Sequence, residues 1–285
     1  MTQRLLLCTD MDRTLLPNGY QPESPQAREL FHRLVSREAV TLAYVTGRHR
    51  ALVEDAIDEY RLPVPDFVIG DVGTTIYEVH RNSWQPRQDW QSEIAGDWAG
   101  HDHAHLAAMF NAFDRLELQE AEKQNIFKLS YYVPLDSDST SMMRRMQDLL
   151  RAEDIQASLI WSVDEPRGTG LLDVLPASAT KFHAVEFLRS QLGYRSEQTL
   201  YAGDSGNDMQ VLTSSIPAVL VANAATDVRA QAVADAQASG NRDALYLAKG
   251  DYLGMNGNYS AGIIEGVAHY LPESRAWLNE NSRHE

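Results

Sequence analysis

Apolar positions in the first third of the chain alternate between two periods. Leu5-Leu6-Leu7-Cys8-Thr9 is an unbroken apolar run of strand length, and Val40–Val45 and Phe67–Gly70 repeat it. Unbroken runs of this length suit strands buried on both faces. Between them the period lengthens. Ala27, Leu30, Phe31, Leu34 and Val35 share one helical face, behind Ser24 as N-cap and Pro25 as first helical residue. A second helix is predicted from about His49 to Tyr60. Strands alternating with helices imply a parallel sheet with right-handed crossovers.

The rhythm changes at about Val79. Lys128–Val133 alternates as a half-buried strand, Met142, Met143, Met146, Leu149 and Leu150 form a helical stripe, and Ala157–Trp161 reads as a further strand. This smaller pattern predicts an inserted α+β domain. The first rhythm returns at Leu171-Leu172-Asp173-Val174-Leu175-Pro176. A helix opening near Thr180 follows, with Ala184, Val185, Leu188 and Leu192 on one face. Strands at Thr199–Asp204 and Ala218–Ala222 and a helix from about Ser260 to His269 complete the layout. The predicted class is α/β: a doubly wound, Rossmann-like parallel-sheet core, residues 1–78 and 169–285, split by an α+β domain at residues 79–168. The polar tail after Trp277 is expected to be disordered.

Composition narrows the classes. The chain has 285 residues, enough for one large or two moderate domains, and its 44% hydrophobic content supports a packed core. Its apolar runs are too short to cross a bilayer, and the N-terminus does not read as a signal peptide, so no membrane partner is expected. The lone Cys8 lies inside an apolar run and reads as a small buried residue in a cytoplasmic protein. A net charge of −15 argues against nucleic acid as a partner.

Ligands of α/β sheets bind beyond the carboxyl ends of the strands. Four features fall there: Asp10 with Asp12, Thr46 with Gly47, Lys181 at a helix start, and Asp204 with Asp208. Like charges this close cost energy unless a cation lies between them, and clustered carboxylates suit a hard, oxygen-ligated cation such as Mg²⁺. Lys181 and the Thr46 hydroxyl can hold phosphoryl oxygens. An Asp can be a nucleophile that forms an aspartyl-phosphate, and a second carboxyl two residues on can protonate the leaving alkoxide and later deprotonate water. Each feature alone is ordinary: a solvated turn, a loop, a surface lysine, a helix cap. All four in order, each at a strand exit or helix start, point to catalysis.

Other features carry less. His101, His103 and His105 precede an apolar helical stripe of Leu106, Met109 and Phe110 and read as a solvated helix start. Trp84, Trp90 and Trp98 read as core fillers. Lys128, Ser130 and Tyr132 share a strand face that is either a sugar-facing row or an ordinary exposed face. Arg48 reads as a local anchor.

Asp10-Met11-Asp12-Arg13-Thr14, Thr46-Gly47-Arg48, Lys181 and Gly203-Asp204-Ser205-Gly206-Asn207-Asp208 resemble, in order, the four motifs of the haloacid-dehalogenase-like (HAD-like) phosphatases. An insert between the second and third motifs marks the subclass with an α/β cap. Leu42–Arg48, Val72-Gly73-Thr74-Thr75-Ile76-Tyr77, Lys128–Tyr132 and Ala261–Glu265 resemble segments of the sucrose-phosphate phosphatases. The resemblance implies that Asp10 is the nucleophile and Asp12 the general acid/base. It implies Mg²⁺ on Asp10, the Asp12 carbonyl and Asp204, with Asp208 a ligand or an orienter. Thr46, Gly47 and Lys181 would bind phosphate, and Gly73, Thr74 and Lys128 the sugar. The implied reaction is Mg²⁺-dependent hydrolysis of a small-molecule sugar phosphate, sucrose 6-phosphate first, through an aspartyl-phosphate. Mannosylfructose phosphate and glucosylglycerate phosphate are related substrates. A phosphomutase and a non-catalytic sugar-binding protein are the rival classes. The synthase that makes the sugar phosphate is an expected partner. Arg13 stands where many relatives have Gly or Asn, and Phe182 where they often have Gly; neither removes a functional group.

Overall fold

The computed structural model describes residues 4–80 and 83–279. Its strands are β1 (Leu5–Thr9), β2 (Val40–Val45), β3 (Phe67–Gly70), β4 (Thr75–His80), β5 (Ser83–Pro86), β6 (Glu117–Leu118), β7 (Leu129–Pro134), β8 (Ala157–Asp164), β9 (Thr169–Pro176), β10 (Thr199–Gly203), β11 (Ala218–Leu220) and β12 (Leu245–Leu247). The α-helices are α1 (Ala27–Val35), α2 (Arg50–Tyr60), α3 (Gln88–Ala95), α4 (His103–Met109), α5 (Ser139–Ala152), α6 (Lys181–Gln191), α7 (Met209–Leu212), α8 (Thr226–Ala238), α9 (Ser260–Tyr270) and α10 (Ser274–Asn279). None is long and apolar enough to cross a membrane.

The chain divides into two compact units: residues up to Gly70 with Tyr77–Gln85 and those from Lys181 on, and Asp71–Ile76 with Pro86–Thr180. The first holds an eight-stranded sheet in the order β12-β11-β10-β1-β2-β3-β4-β5. The pairs β1–β2, β2–β3, β1–β10, β10–β11 and β11–β12 are parallel. Strand order therefore runs outward in both directions from β1 and β10, and their junction is the topological switch point where such sheets bind ligands. This is the Rossmann-like core expected from the alternating periods. The second unit holds an antiparallel sheet, β6-β7-β9-β8, with α3, α4 and α5.

The expected boundaries are corrected in two places. The run Leu171–Pro176, assigned to the core, pairs antiparallel with both β7 and β8 in the smaller sheet. As an interior strand it is apolar enough to imitate a buried parallel one. Asp71–Ile76 also belongs to the second unit, whereas Ser83–Gln85 belongs to the first.

Local signals were followed or overridden by packing. Helix α1 starts at Ala27, and Ser24 does not cap it; the Ser24 hydroxyl accepts the Asn256 N–H at 2.9 Å. In α9 every residue from Ser260 to Ala268 is buried. Its glycines permit that depth: a Cβ on Gly266 would lie 2.6 Å from the Val219 Cβ. Helix α8 and strand β12 were not anticipated. The buried positions of α8 are Ala232 and Ala236, but Ala230, Ala234 and Ala238 fall on its other faces, so no apolar stripe marks the buried side. Trp90 and Trp98 are fully buried in the second unit, where Trp98 meets Phe127 edge-on; Trp84 meets Tyr77 in the first. Of the tail expected to be disordered, Leu278 and Asn279 close α10, and residues 280–285 lie outside the described residues.

Candidate active site

The strand register assembles the site. Thr9 lies opposite Ala202 in β10 and Tyr44 in β2. The Asp10 N–H donates to the Ala202 carbonyl at 2.9 Å, so Asp10 and Asp204 leave adjacent parallel strands at one sheet edge. Beyond β2 the Thr46 N–H donates to Ile69 O at 2.8 Å, which fixes the turn carrying Thr46, Gly47 and Arg48. Lys181 opens α6 and is buried. A cleft of ≈ 380 Å³ is lined by Asp10, Asp12, Thr46, Gly47, Arg48 and Asp204, among others.

Beneath its floor lies a buried ion cluster. Lys181 Nζ is 2.9 Å from Asp10 Oδ1 and 2.8 Å from Asp208 Oδ1. Asp208 is engaged at both oxygens. Oδ1 also accepts the Tyr201 hydroxyl at 2.5 Å, and Oδ2 accepts the N–H groups of Asp204 and Ser205, each at 3.1 Å. Gly203 makes this possible, because a Cβ there would fall 2.7 Å from the Asp208 carboxyl. Asp204 accepts the Thr14 hydroxyl at 3.2 Å and lies 3.5 Å from Arg13 Nε.

Asp12 has a different setting. Arg48 grips it with two bonds, Nε to Oδ2 at 2.8 Å and Nη2 to Oδ1 at 2.6 Å, and Asn18 Nδ2 adds a third at 2.7 Å. The intervening loop is pinned by its backbone. Arg13 sits in the left-handed region at φ 59°. Its N–H donates to Asn18 Oδ1 at 2.8 Å, and its carbonyl accepts Asn223 Nδ2 at 2.6 Å. These bonds hold a conformation that a residue with a Cβ adopts only at some cost.

Electrostatics separate the carboxyls. Burial pushes the Asp10 carboxyl up to about 7; Lys181 pulls it down, and Asp208 and Asp204 push it up again. Asp204 rises to about 6, first through burial and then through Asp208. For Asp12 burial also acts upward, but the Arg48 fork and the Asn18 bond outweigh it and hold the carboxyl below its ordinary value. Burial would lower Lys181, yet Asp208 and Asp10 together raise it. Lys181 thus pairs with two of three buried carboxyls and the half-exposed Arg13 with the third, Asp204, and the nearest oxygens of the three lie within 4.8 Å of one another. Such an excess of negative charge in an all-oxygen donor set fits a hard divalent cation.

The first unit thus brings together Asp10, Asp12, Thr46, Gly47, Lys181, Asp204 and Asp208. The other three expected residues lie in the second unit. There the Gly73 carbonyl accepts Trp90 Nε1 at 3.1 Å, and the Thr74 hydroxyl donates to Asp71 O at 2.9 Å. Lys128 is buried, with Nζ donating to Lys123 O at 3.0 Å and lying 3.7 Å from Asp173. Asn125 ties this group together: it bonds the Thr74 hydroxyl at 2.9 Å and pairs through its backbone with Lys128. Sequence reasoning missed Thr14, Asn18, Tyr201 and Asn223, and gave Arg48 only a local role. Thr14 and Arg48 stood inside the quoted motifs; the other three carried no spacing signal.

A buried acidic cluster around one ammonium at a parallel-sheet switch point suits phosphoryl transfer, and known proteins bear this out. The family model for sucrose-6F-phosphate phosphohydrolase matches residues 3–271. A HAD-like hydrolase of Nitrosococcus oceani is 52% identical over 100% of this chain and 76% of its own length. The mannosylfructose-phosphate phosphatase of Agrobacterium fabrum is 28% identical over 93% of this chain and 96% of its own. The solved structure of the sucrose-phosphatase from Synechocystis, in complex with sucrose and phosphate, superposes with a TM-score of 0.68 at 25% identity, covering 94% of this chain and 98% of that one. The chain belongs to the sucrose-6F-phosphate phosphohydrolase family and is a HAD-like phosphoric monoester hydrolase acting on sugar phosphates.

Proposed function

We propose that the chain hydrolyses the phosphate ester of a disaccharide, sucrose 6-phosphate first, in a Mg²⁺-dependent reaction through an aspartyl-phosphate. The observation that carries this reading is the Asp10 carboxylate facing the cleft, 2.9 Å from the buried Lys181 ammonium. A neutralised, desolvated carboxylate is a competent nucleophile toward phosphorus. Thr46 and the amides of its turn border the same cleft and suit the transferring oxygens.

In the first half-reaction an Asp10 oxygen attacks phosphorus. A P–O bond to Asp10 forms and the P–O bond to the sugar breaks. Asp12, an anion while Arg48 holds it, picks up a proton from solvent on leaving Arg48 and passes it to the sugar oxygen. In the second, water attacks the same phosphorus and gives its proton to Asp12. Inorganic phosphate leaves, and the Asp10 carboxylate is restored. Lys181 keeps its bond to Asp10 while charge grows on the phosphoryl group. Asp12 must loosen its hold on Arg48 to carry a proton, so Arg48 sets its resting position. Asp10, the Asp12 carbonyl and Asp204 would hold Mg²⁺, which supplies positive charge against the phosphoryl oxygens. Asp208, with both oxygens engaged, suits the orienter's role better than a ligand's. We propose sugar recognition for Gly73, Thr74 and Lys128.

A second substrate is favoured by one observation: the mannosylfructose-phosphate phosphatase aligns with nearly the full length of both chains. Steady-state kinetics on a panel of sugar phosphates with Mg²⁺ decides. Sucrose 6-phosphate should give the highest kcat/KM. Preference for mannosylfructose phosphate transfers the assignment to that sugar, and equal, feeble turnover of every disaccharide phosphate rejects the class.

A further inference from the structure

Two histidines set aside as a helix start meet a glutamate 48 residues away in the second unit. His105 Nε2 lies 2.7 Å from Glu153 Oε2, and His101 Nε2 lies 3.8 Å from the same oxygen. The two imidazoles stack with centroids 4.0 Å apart and planes 17° from parallel. One donor atom from each residue falls within 4.8 Å of the other two. His103, the middle member of the tract, is turned elsewhere, with Nε2 at 3.3 Å from Gln124 Oε1.

Each of the three is anchored through its backbone. The His101 N–H donates to Trp98 O at 2.8 Å. The His105 N–H is capped by the Asp102 carboxylate, also at 2.8 Å. The Glu153 N–H donates to Leu150 O at 3.2 Å, at the end of α5.

We propose that His101, His105 and Glu153 bind one divalent cation of borderline softness, of the Zn²⁺, Ni²⁺ or Cu²⁺ class. Two imidazoles and a carboxylate are a donor set for such ions, with a fourth position left for water. The spacing agrees. Bonds of ~2.0–2.1 Å in a tetrahedral shell place donors about 3.3 Å apart, between the 2.7 and 3.8 Å that separate Glu153 from the two imidazoles. The stacked rings have nearly parallel planes, so binding requires these partly exposed side chains to turn until both Nε2 lone pairs aim at the ion. A proton serves this group less well. It lets one imidazole bond Glu153 and leaves the other beyond hydrogen-bond range, whereas two imidazolium rings stacked face to face repel. A single cation satisfies all three donors and links the start of α4 to the end of α5.

Cu²⁺ titration of the full chain in excess Mg²⁺, read by electron paramagnetic resonance, tests this. The cluster at Asp10, Asp204 and Asp208 offers only oxygen, so nitrogen hyperfine structure reports histidine, and its loss in the variants assigns it to His101 and His105 among the nine histidines of the chain. One equivalent with two coupled nitrogens is expected. His101→Ala and His105→Ala should each lose that pattern and weaken binding by about 100-fold, and Glu153→Gln, which keeps shape and a hydrogen-bonding oxygen, by about 10-fold. All three side chains are partly exposed, and thermal melts of the metal-free variants verify that they fold. A wild type without nitrogen coupling, or a two-nitrogen pattern that survives both alanine variants, overturns the proposal.

Discussion

The two banks of the cleft treat carboxylates in opposite ways. On one, Lys181 is sealed between Asp10 and Asp208, with side chains 6%, 6% and 0% exposed. On the other, Arg48 holds Asp12 with side chains 25% and 43% exposed. Asp10 and Asp12 are two residues apart, yet burial raises one and a guanidinium lowers the other. A buried pair cannot be broken cheaply, because its survivor is an uncompensated charge. A half-exposed pair is screened by water and salt and separates at modest cost. The contrast separates a fixed group, suited to attack, from a movable one, suited to carrying protons.

Substitutions on the buried bank should have the largest effects. Asp10→Asn removes the attacking oxygen and should lower kcat by about 10⁴-fold or more while the protein still folds. Near-normal turnover in stopped-time phosphate release would erase the distinction between the banks. Lys181→Met should lower kcat by about 10²–10³-fold. It should also destabilise the fold by roughly 3–5 kcal/mol, since Asp10 and Asp208 lose their shared cation. Urea melts would show this, and an unchanged midpoint would contradict the role given to burial.

The exposed bank should respond more gently. Arg48→Ala frees Asp12, and loss of an exposed ion pair should cost at most about 1 kcal/mol of stability. Its signature is the pH profile: with the fork gone, the Asp12 carboxyl rises, so the limb that it governs in kcat/KM should move to higher pH. An unmoved profile would mean that Arg48 does not set this group. The smallest expected effect concerns Asp204 in the metal-free protein. Its carboxyl sits at about 6 when folded, against 3.8 as the ordinary value. The folded chain therefore binds more protons than the unfolded one between these values, and the stability contribution of this group falls as pH rises through that window. Asp204→Asn should stabilise the metal-free protein by on the order of 1 kcal/mol near pH 8 and hardly at all near pH 4. Equal shifts at both pH values would contradict the raised carboxyl.

What could be read from the sequence follows the same physics. Asp10, Thr46 and Asp204 were legible because each ends an apolar run, and a strand buried on both faces can turn polar only where it leaves the sheet. Lys181 was legible as a cation at a helix start, a place the helix dipole disfavours. Arg48 was visible as a residue but not as a partner, since no local period relates it to Asp12, 36 positions earlier. Tyr201 and Asn223 escaped for the same reason. The misplaced β9 carried a warning in Asp173, a charged residue at the centre of an apolar run. In the smaller sheet it has a reason to be there: it accepts the Ser130 hydroxyl at 2.5 Å and lies 3.7 Å from Lys128. Ser24 misled differently. A good local cap was claimed by a tertiary bond to Asn256, because propensity yields to packing.

The central claim is that Asp10 carries the phosphoryl group, and trapping tests it most directly. Asp12→Asn should still accept phosphate from a radiolabelled sugar phosphate in Mg²⁺ but hydrolyse the adduct slowly. Acid quench should then recover close to one hydroxylamine-sensitive label per chain, mapped to Asp10 and absent from the Asp10→Asn variant. Label at another residue, or phosphate release by Asp10→Asn at the wild-type rate, would contradict the account.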